Sequence, residues 1–141
     1  MRSPDFLTAV GIGVSDLKRS MDFYTRVLGM RQTQVFKLDH MDEVVVAHEG
    51  RSAVVLMHYT DGSAPNYRDN PVKLVFFVTD PAGLIEAIRA DGLEITHEPA
   101  PAETMGGAML GMAKDPDGYI IELIQAPAAR QPAGEIAEAS A

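Results

Sequence analysis

Glu122 stands in the middle of a run, Tyr119, Ile120, Ile121, Leu123 and Ile124, that is otherwise apolar on both faces. A carboxylate inside a buried strand is costly unless a cation or donors compensate it. Facing a pocket, such a group suits proton transfer. The four histidines, His40, His48, His58 and His97, show neither HxH nor HExxH spacing, so no metal-ligand motif is visible among them. The chain has no cysteine, which excludes disulfides and thiolate ligands.

The elements that must position Glu122 are legible in the pattern. Asp115, Pro116, Asp117 and Gly118 are turn residues that lead into its strand. Leu17, Met21, Tyr24 and Leu28 recur at helical spacing, so a helix is predicted from Ser15 or Asp16 to Leu28, closed by Gly29. A second helix is predicted from Pro81 to Asp91, with Asp80 as N-cap and Gly92 as stop. Strands are predicted at Phe6–Val14, Arg31–Asp39, Glu43–His48, Ser52–Tyr59, Val72–Thr79, Glu94–His97, Gly107–Lys114 and Tyr119–Gln125. Asp61–Pro71 and Pro99–Gly107 read as loops, and residues 128–141 as a flexible tail. The order is βαβββ twice, and the segment from Val14 is echoed by the segment from Val78. That duplication points to two similar modules, about 6–59 and 72–126, packed around shared strands in one domain, 1–127.

A length of 141 residues suffices for one domain with a sizeable core. The net charge of −8, with no basic cluster, argues against a nucleic-acid partner. No apolar run is long enough to span a membrane, and the N-terminus lacks a signal-peptide pattern, so a cytoplasmic protein is expected.

"DLKRSMDFYTRVLGM" (16–30) and "KDPDGYIIELIQ" (114–125) together resemble the vicinal oxygen chelate superfamily, which includes glyoxalase I, bleomycin resistance proteins and extradiol dioxygenases. Within it glyoxalase I is the nearest likeness. The resemblance covers about residues 6–126. It implies an α+β fold of two paired βαβββ modules forming a curved, cup-like sheet, and commonly a homodimer. In the family a divalent metal sits in the cup, held by one side chain from the first and one from the last strand of each module. Carried onto this chain, those four positions fall on Ala9, about Leu56, Lys73 and Glu122. Ala9 and Lys73 keep the spacing that separates the two echoed segments. Alanine and leucine cannot bind a metal, and a protonated lysine has no lone pair to offer. The resemblance therefore implies a degenerate site, and no metal or other cofactor is expected.

Lys73 and Glu122 are expected to face each other in the cup, opposite an apolar half made by Ala9 and Leu56. Alternation adds Val75 and Phe77 to Lys73's face, and Met109 is a candidate apolar lining. His58 shares Leu56's face by the same rule. It is read either as an acid–base group or as a histidine on the rim. Three functions follow. The first is a metal-independent isomerase, epimerase or lyase acting on a small oxygenated metabolite, with Glu122 as base and Lys73 as the cation beside an enolate-like oxygen. The second is a metal-free protein that binds or sequesters a small molecule. The third is a metalloenzyme whose ligands lie in another register.

Overall fold

The computed structural model describes residues 2–68 and 70–127; the expected tail at 128–141 lies outside the described residues. The chain divides into two compact units. The first runs to Asn70 and includes Pro116–Gly118; the second comprises Pro71–Asp115 and the chain from Tyr119.

In the first unit, strand β1 (Ala9–Gly13) leads to helix α1 (Leu17–Asp22), then to β2 (Arg31–Lys37), β3 (Met41–Ala47) and β4 (Ala53–Tyr59). Asp16 caps α1 by accepting from the Arg19 amide at 3.0 Å. The last turns of the predicted helix widen into a π-helix at Phe23–Val27, and Gly29 ends it at φ 72°. The sheet order is β1-β4-β3-β2, with β1 parallel to β4 and the other neighbours antiparallel. Ile12, Val44, Val46, Val54 and Leu56 are buried on one face, together with Phe23 and Tyr24 of the helical segment. The two rings meet edge to face at 5.1 Å.

The second unit repeats the plan with β5 (Lys73–Val78), α2 (Pro81–Ala90), β6 (Ile95–Ala102), β7 (Ala108–Lys114) and β8 (Ile120–Gln125). Its sheet order is β5-β8-β7-β6, and β5 is parallel to β8. Asp80 caps α2 by accepting from the Gly83 amide at 3.0 Å. Ile85 and Ile88 of α2 are fully buried, as are Ala113, Ile121 and Leu123 of the sheet. Gly111 lets the helix come close: a Cβ there would stand 2.9 Å from Cγ1 of Ile85.

Two expectations are corrected. Each sheet takes all four strands from one half of the chain, so among the described residues no strand is shared. The expected loop from Pro99 begins as strand instead, because β6 continues to Ala102. β6 lies at the sheet edge, where Pro99 and Pro101 need not donate to a ladder, and the register shifts between His97 and Ala100 absorb the irregularity.

Candidate active site

The register of the second sheet decides which side chains share a face. Ile121, Leu123, Gly111 and Ala113 lie beneath α2. Alternation then sends the intervening residues to the other face. Three rows result on that open face: Lys73, Ile120 and Lys114; then Val75, Glu122 and Met112; then Phe77, Ile124 and Leu110.

Glu122 is thus flanked in its row by Val75 and Met112, and along its own strand by Ile120 and Ile124. Its side chain is only 7% exposed. The Lys73 ammonium donates to Oε1 of Glu122 at 3.3 Å, while the Lys73 side chain remains 48% exposed. The pair joins a buried acid to a cation that still meets solvent. One donor of the ammonium is used, leaving two for another group. Val75 and Phe77 are 51% and 54% exposed, so an apolar strip runs beside the charged pair.

The first sheet has the same architecture with different residues. The Ala53 amide donates to the Thr8 carbonyl, as the Ile120 amide donates to Val72. In this register Ala9 is the equivalent of Lys73, and Val55 is the equivalent of Glu122. The position expected at about Leu56 is therefore displaced by one residue. Leu56 is fully buried beside Ile12 and Val44, on the face turned to α1, and is core rather than pocket lining. Met57 lies on the opposite face over Gly11, where a Cβ would meet its sulfur at 3.0 Å.

His58 follows Leu56's face, as alternation requires, and its geometry is that of an anchor. Nδ1 lies 2.8 Å from the Val14 carbonyl. A carbonyl only accepts, so Nδ1 carries the proton. The ring stacks on Tyr67, with centroids 5.9 Å apart and planes 16° apart. The Tyr67 hydroxyl in turn accepts from the Tyr59 amide at 3.1 Å. His58 thus ties the end of β1 and the following polar loop to β4. Met109 is also displaced from its expected place. It alternates with Gly111 and Ala113 towards the α2 side, its amide donates to Oε1 of Gln125 at 3.1 Å, and Leu110 and Met112 take the open face instead.

Charged residues on the open faces escaped the sequence reading, among them Arg31, whose row on the first sheet runs through Ala47 and Ala53 to Ala9. Lys114 shares Lys73's row, and Glu43 lies in a row with Gly13 and Met57 on the first sheet. No sequence signal singles out Lys114, because the helix-facing parity of β7 shows only once Gly111 is seen beneath Ile85. Among the described residues no group of three or more His, Asp or Glu side chains is placed to hold a metal ion.

Two βαβββ units with a carboxylate on the last strand define a protein of the glyoxalase type. The model of the Glyoxalase/Bleomycin resistance protein/Dioxygenase superfamily matches residues 7–123, and the chain belongs to that family. It is 33% identical over 117 residues to a probable lactoylglutathione lyase of Vibrio cholerae, covering 79% of this chain and 84% of that protein. It is 34% identical over 119 residues to a lactoylglutathione lyase of Arabidopsis thaliana, covering 79% of this chain but only 41% of the plant protein. The crystal structure of glyoxalase I from Zea mays superposes with a TM-score of 0.71 at 26% identity, over 85% of this chain and 44% of that one. The chain thus spans less than half the length of these plant relatives.

Proposed function

We propose that this protein is a glyoxalase-like enzyme whose metal site is degenerate, and that it moves a proton at a carbon next to a carbonyl without a metal, as an isomerase, epimerase or lyase. The observation that carries this reading is the Lys73–Glu122 pair on an open sheet face, 3.3 Å apart, with the acid buried and the cation exposed. The family's other two positions hold Ala9 and Val55, which have no donor atoms for a metal. Four such side chains offer one carboxylate, and that carboxylate already faces an ammonium. They do not fit a divalent ion, which needs several oxygen or nitrogen ligands.

In this reading Glu122 takes the proton as the C–H bond breaks. The electron pair moves into the carbon–carbon bond, and charge gathers on the carbonyl oxygen. Lys73 donates to that oxygen with one of its remaining N–H groups. Returning the proton to the same or the neighbouring carbon completes an epimerisation or isomerisation. A cytoplasmic homodimer is the assembly and compartment that accompany this reading.

The named relatives make S-lactoylglutathione the first probe. Protein stripped with a chelator is expected to exchange the hydrogen of the lactoyl carbon next to the carbonyl for deuterium in D₂O, followed by NMR. Glu122→Gln is expected to slow that exchange by about 10²–10⁴-fold while the probe still binds. Exchange that appears only after Zn, Ni, Mn or Fe is added counts against the proposal. A second reading, binding without turnover, is favoured by the exposure of Val75 and Phe77 beside the pair. It predicts ligands that raise Tm but undergo no exchange in the unmodified protein.

A further inference from the structure

Lys114 has no role in the proton transfer just described, yet it mirrors Lys73. Both pair in register with Ile120, one from each neighbouring strand, and both are on the open face. Adjacent strands are about 4.8 Å apart, so the two lysine backbones stand roughly 10 Å apart across Ile120. Among the described residues each ammonium has a single carboxylate neighbour. Lys73 holds the buried Glu122 at 3.3 Å, and Lys114 holds the exposed Glu94 at 3.5 Å. The second contact is an exposed bridge, 38% and 62% accessible, of the kind that contributes little and exchanges freely. Both ammonium groups therefore keep donors for a third, anionic group above Ile120.

The other rows complete a gradient. Glu122 lies one row further along, and Phe77, Ile124 and Leu110 form the row beyond it. Rows on one face repeat every two residues, so the three span about 13 Å. Cations mark one end, the acid the middle, and the other end is apolar, with Phe77 exposed and Ile124 buried.

We infer that Lys114 is a specificity-determining residue and that the substrate is an oxo acid with an apolar arm. Its carboxylate lies over Ile120 between Lys73 and Lys114, its acidic C–H lies at Glu122, and its arm lies against Phe77. This rests on the reading of this face as the active site, and it narrows the substrate class. The carboxylate displaces Glu94 from Lys114 and accepts from both ammonium groups, and charge-assisted bonds of that kind favour the acid over any neutral analogue. The bulk charge of −8 opposes anions at long range, so the discrimination arises at the two lysines.

The test is direct binding of 2-oxodecanoate, whose extended chain matches the three rows, and of its methyl ester, measured by calorimetry on the full chain at low ionic strength. Glu122→Gln is measured as well, so that binding is read apart from turnover. The acid is expected to bind about tenfold more tightly than the ester. Lys114→Gln is expected to bring the acid down to the ester's affinity and to leave the ester unchanged. Phe77→Ala is expected to weaken both ligands alike. Equal affinity for acid and ester, an acid affinity untouched by Lys114→Gln in folded protein, or no binding of either compound would each overturn the inference. Retained binding with no deuterium exchange at any oxo acid would instead remove the catalytic proposal and leave this one standing.

Discussion

A double-mutant cycle on Lys73 and Glu122 tests whether the pair is bound together in solution. Lys73→Met keeps the apolar stem and removes the charge, and Glu122→Gln keeps the shape and removes the charge of the acid. Two unit charges 3.3 Å apart attract by about 1.3 kcal/mol at a dielectric constant of about 80 and by about 2.5 kcal/mol at about 40. The higher figure is an upper bound here, because the lysine side chain is 48% exposed and solvent screens it. The acid is 7% exposed, so it loses more than the Coulomb attraction when the ammonium goes, since little water can replace it. Lys73→Met alone is therefore expected to cost about 1–2 kcal/mol at pH 7. In the Glu122→Gln background the same change is expected to cost under about 0.5 kcal/mol, as no buried charge is stranded. The coupling, about 1 kcal/mol, is read from urea unfolding followed by circular dichroism. It should shrink, without vanishing, in molar salt. A coupling below about 0.3 kcal/mol would show that the two groups do not hold each other, and the acid–cation argument would fail with it.

Two further substitutions test the packing that sets the strand faces. Ser20 is fully buried on α1, and its hydroxyl has no hydrogen-bond partner among the described residues. Ser20→Ala removes an unpaired polar atom and improves helix propensity, so it is expected to stabilise the protein by about 1 kcal/mol, and a lower melting temperature would show that the hydroxyl is satisfied. Gly111→Ala places a Cβ 2.9 Å from Cγ1 and 3.2 Å from Cδ1 of Ile85. It is expected to cost about 1–3 kcal/mol, and to cost clearly less in an Ile85→Ala background; equal losses in both backgrounds would refute the assigned contact.

Much of the fold is legible because local signals agree with it. Asp16 and Asp80 cap the helices that their positions announce, and Gly29 and Gly92 end them at φ 72° and 85°. Glu122 is legible because a charge in an apolar strand has few explanations. Leu56 and Met109 were misplaced for a different reason. Both lie in strands apolar on the two faces, where periodicity carries no parity and a shift of one residue exchanges core for pocket. What fixes parity is a residue that only one face tolerates. Gly111 does so for β7, under Ile85, and Gly11 does so for β1, under Met57. Neither contact can be read without knowing what packs above it. Extension of β6 through Pro99 and Pro101 was hidden likewise, because only the sheet order shows that β6 is an edge.

Once parity is fixed, the duplication becomes an internal control. The three register positions that carry Lys73, Glu122 and Lys114 in the second sheet carry Ala9, Val55 and Ala47 in the first. The fold does not require charge at these places, since the same backbone pairing forms with small or apolar side chains. Glu122 and its two lysines therefore need an explanation beyond folding. A buried acid seldom adds stability over an apolar residue of similar volume, and Val55 shows that such a residue fits the equivalent position. On the first sheet the charges in these three rows are Glu43, which stands in the row where the second sheet has Leu110, and Arg31 of β2, which pairs with Ala47 in the row of Ala9. A cation thus stands in the equivalent row of both faces, while a buried acid in the next row belongs to the second sheet, where the first has Val55. Proton transfer between one carboxylate and one ammonium, as proposed for this face, needs only one module.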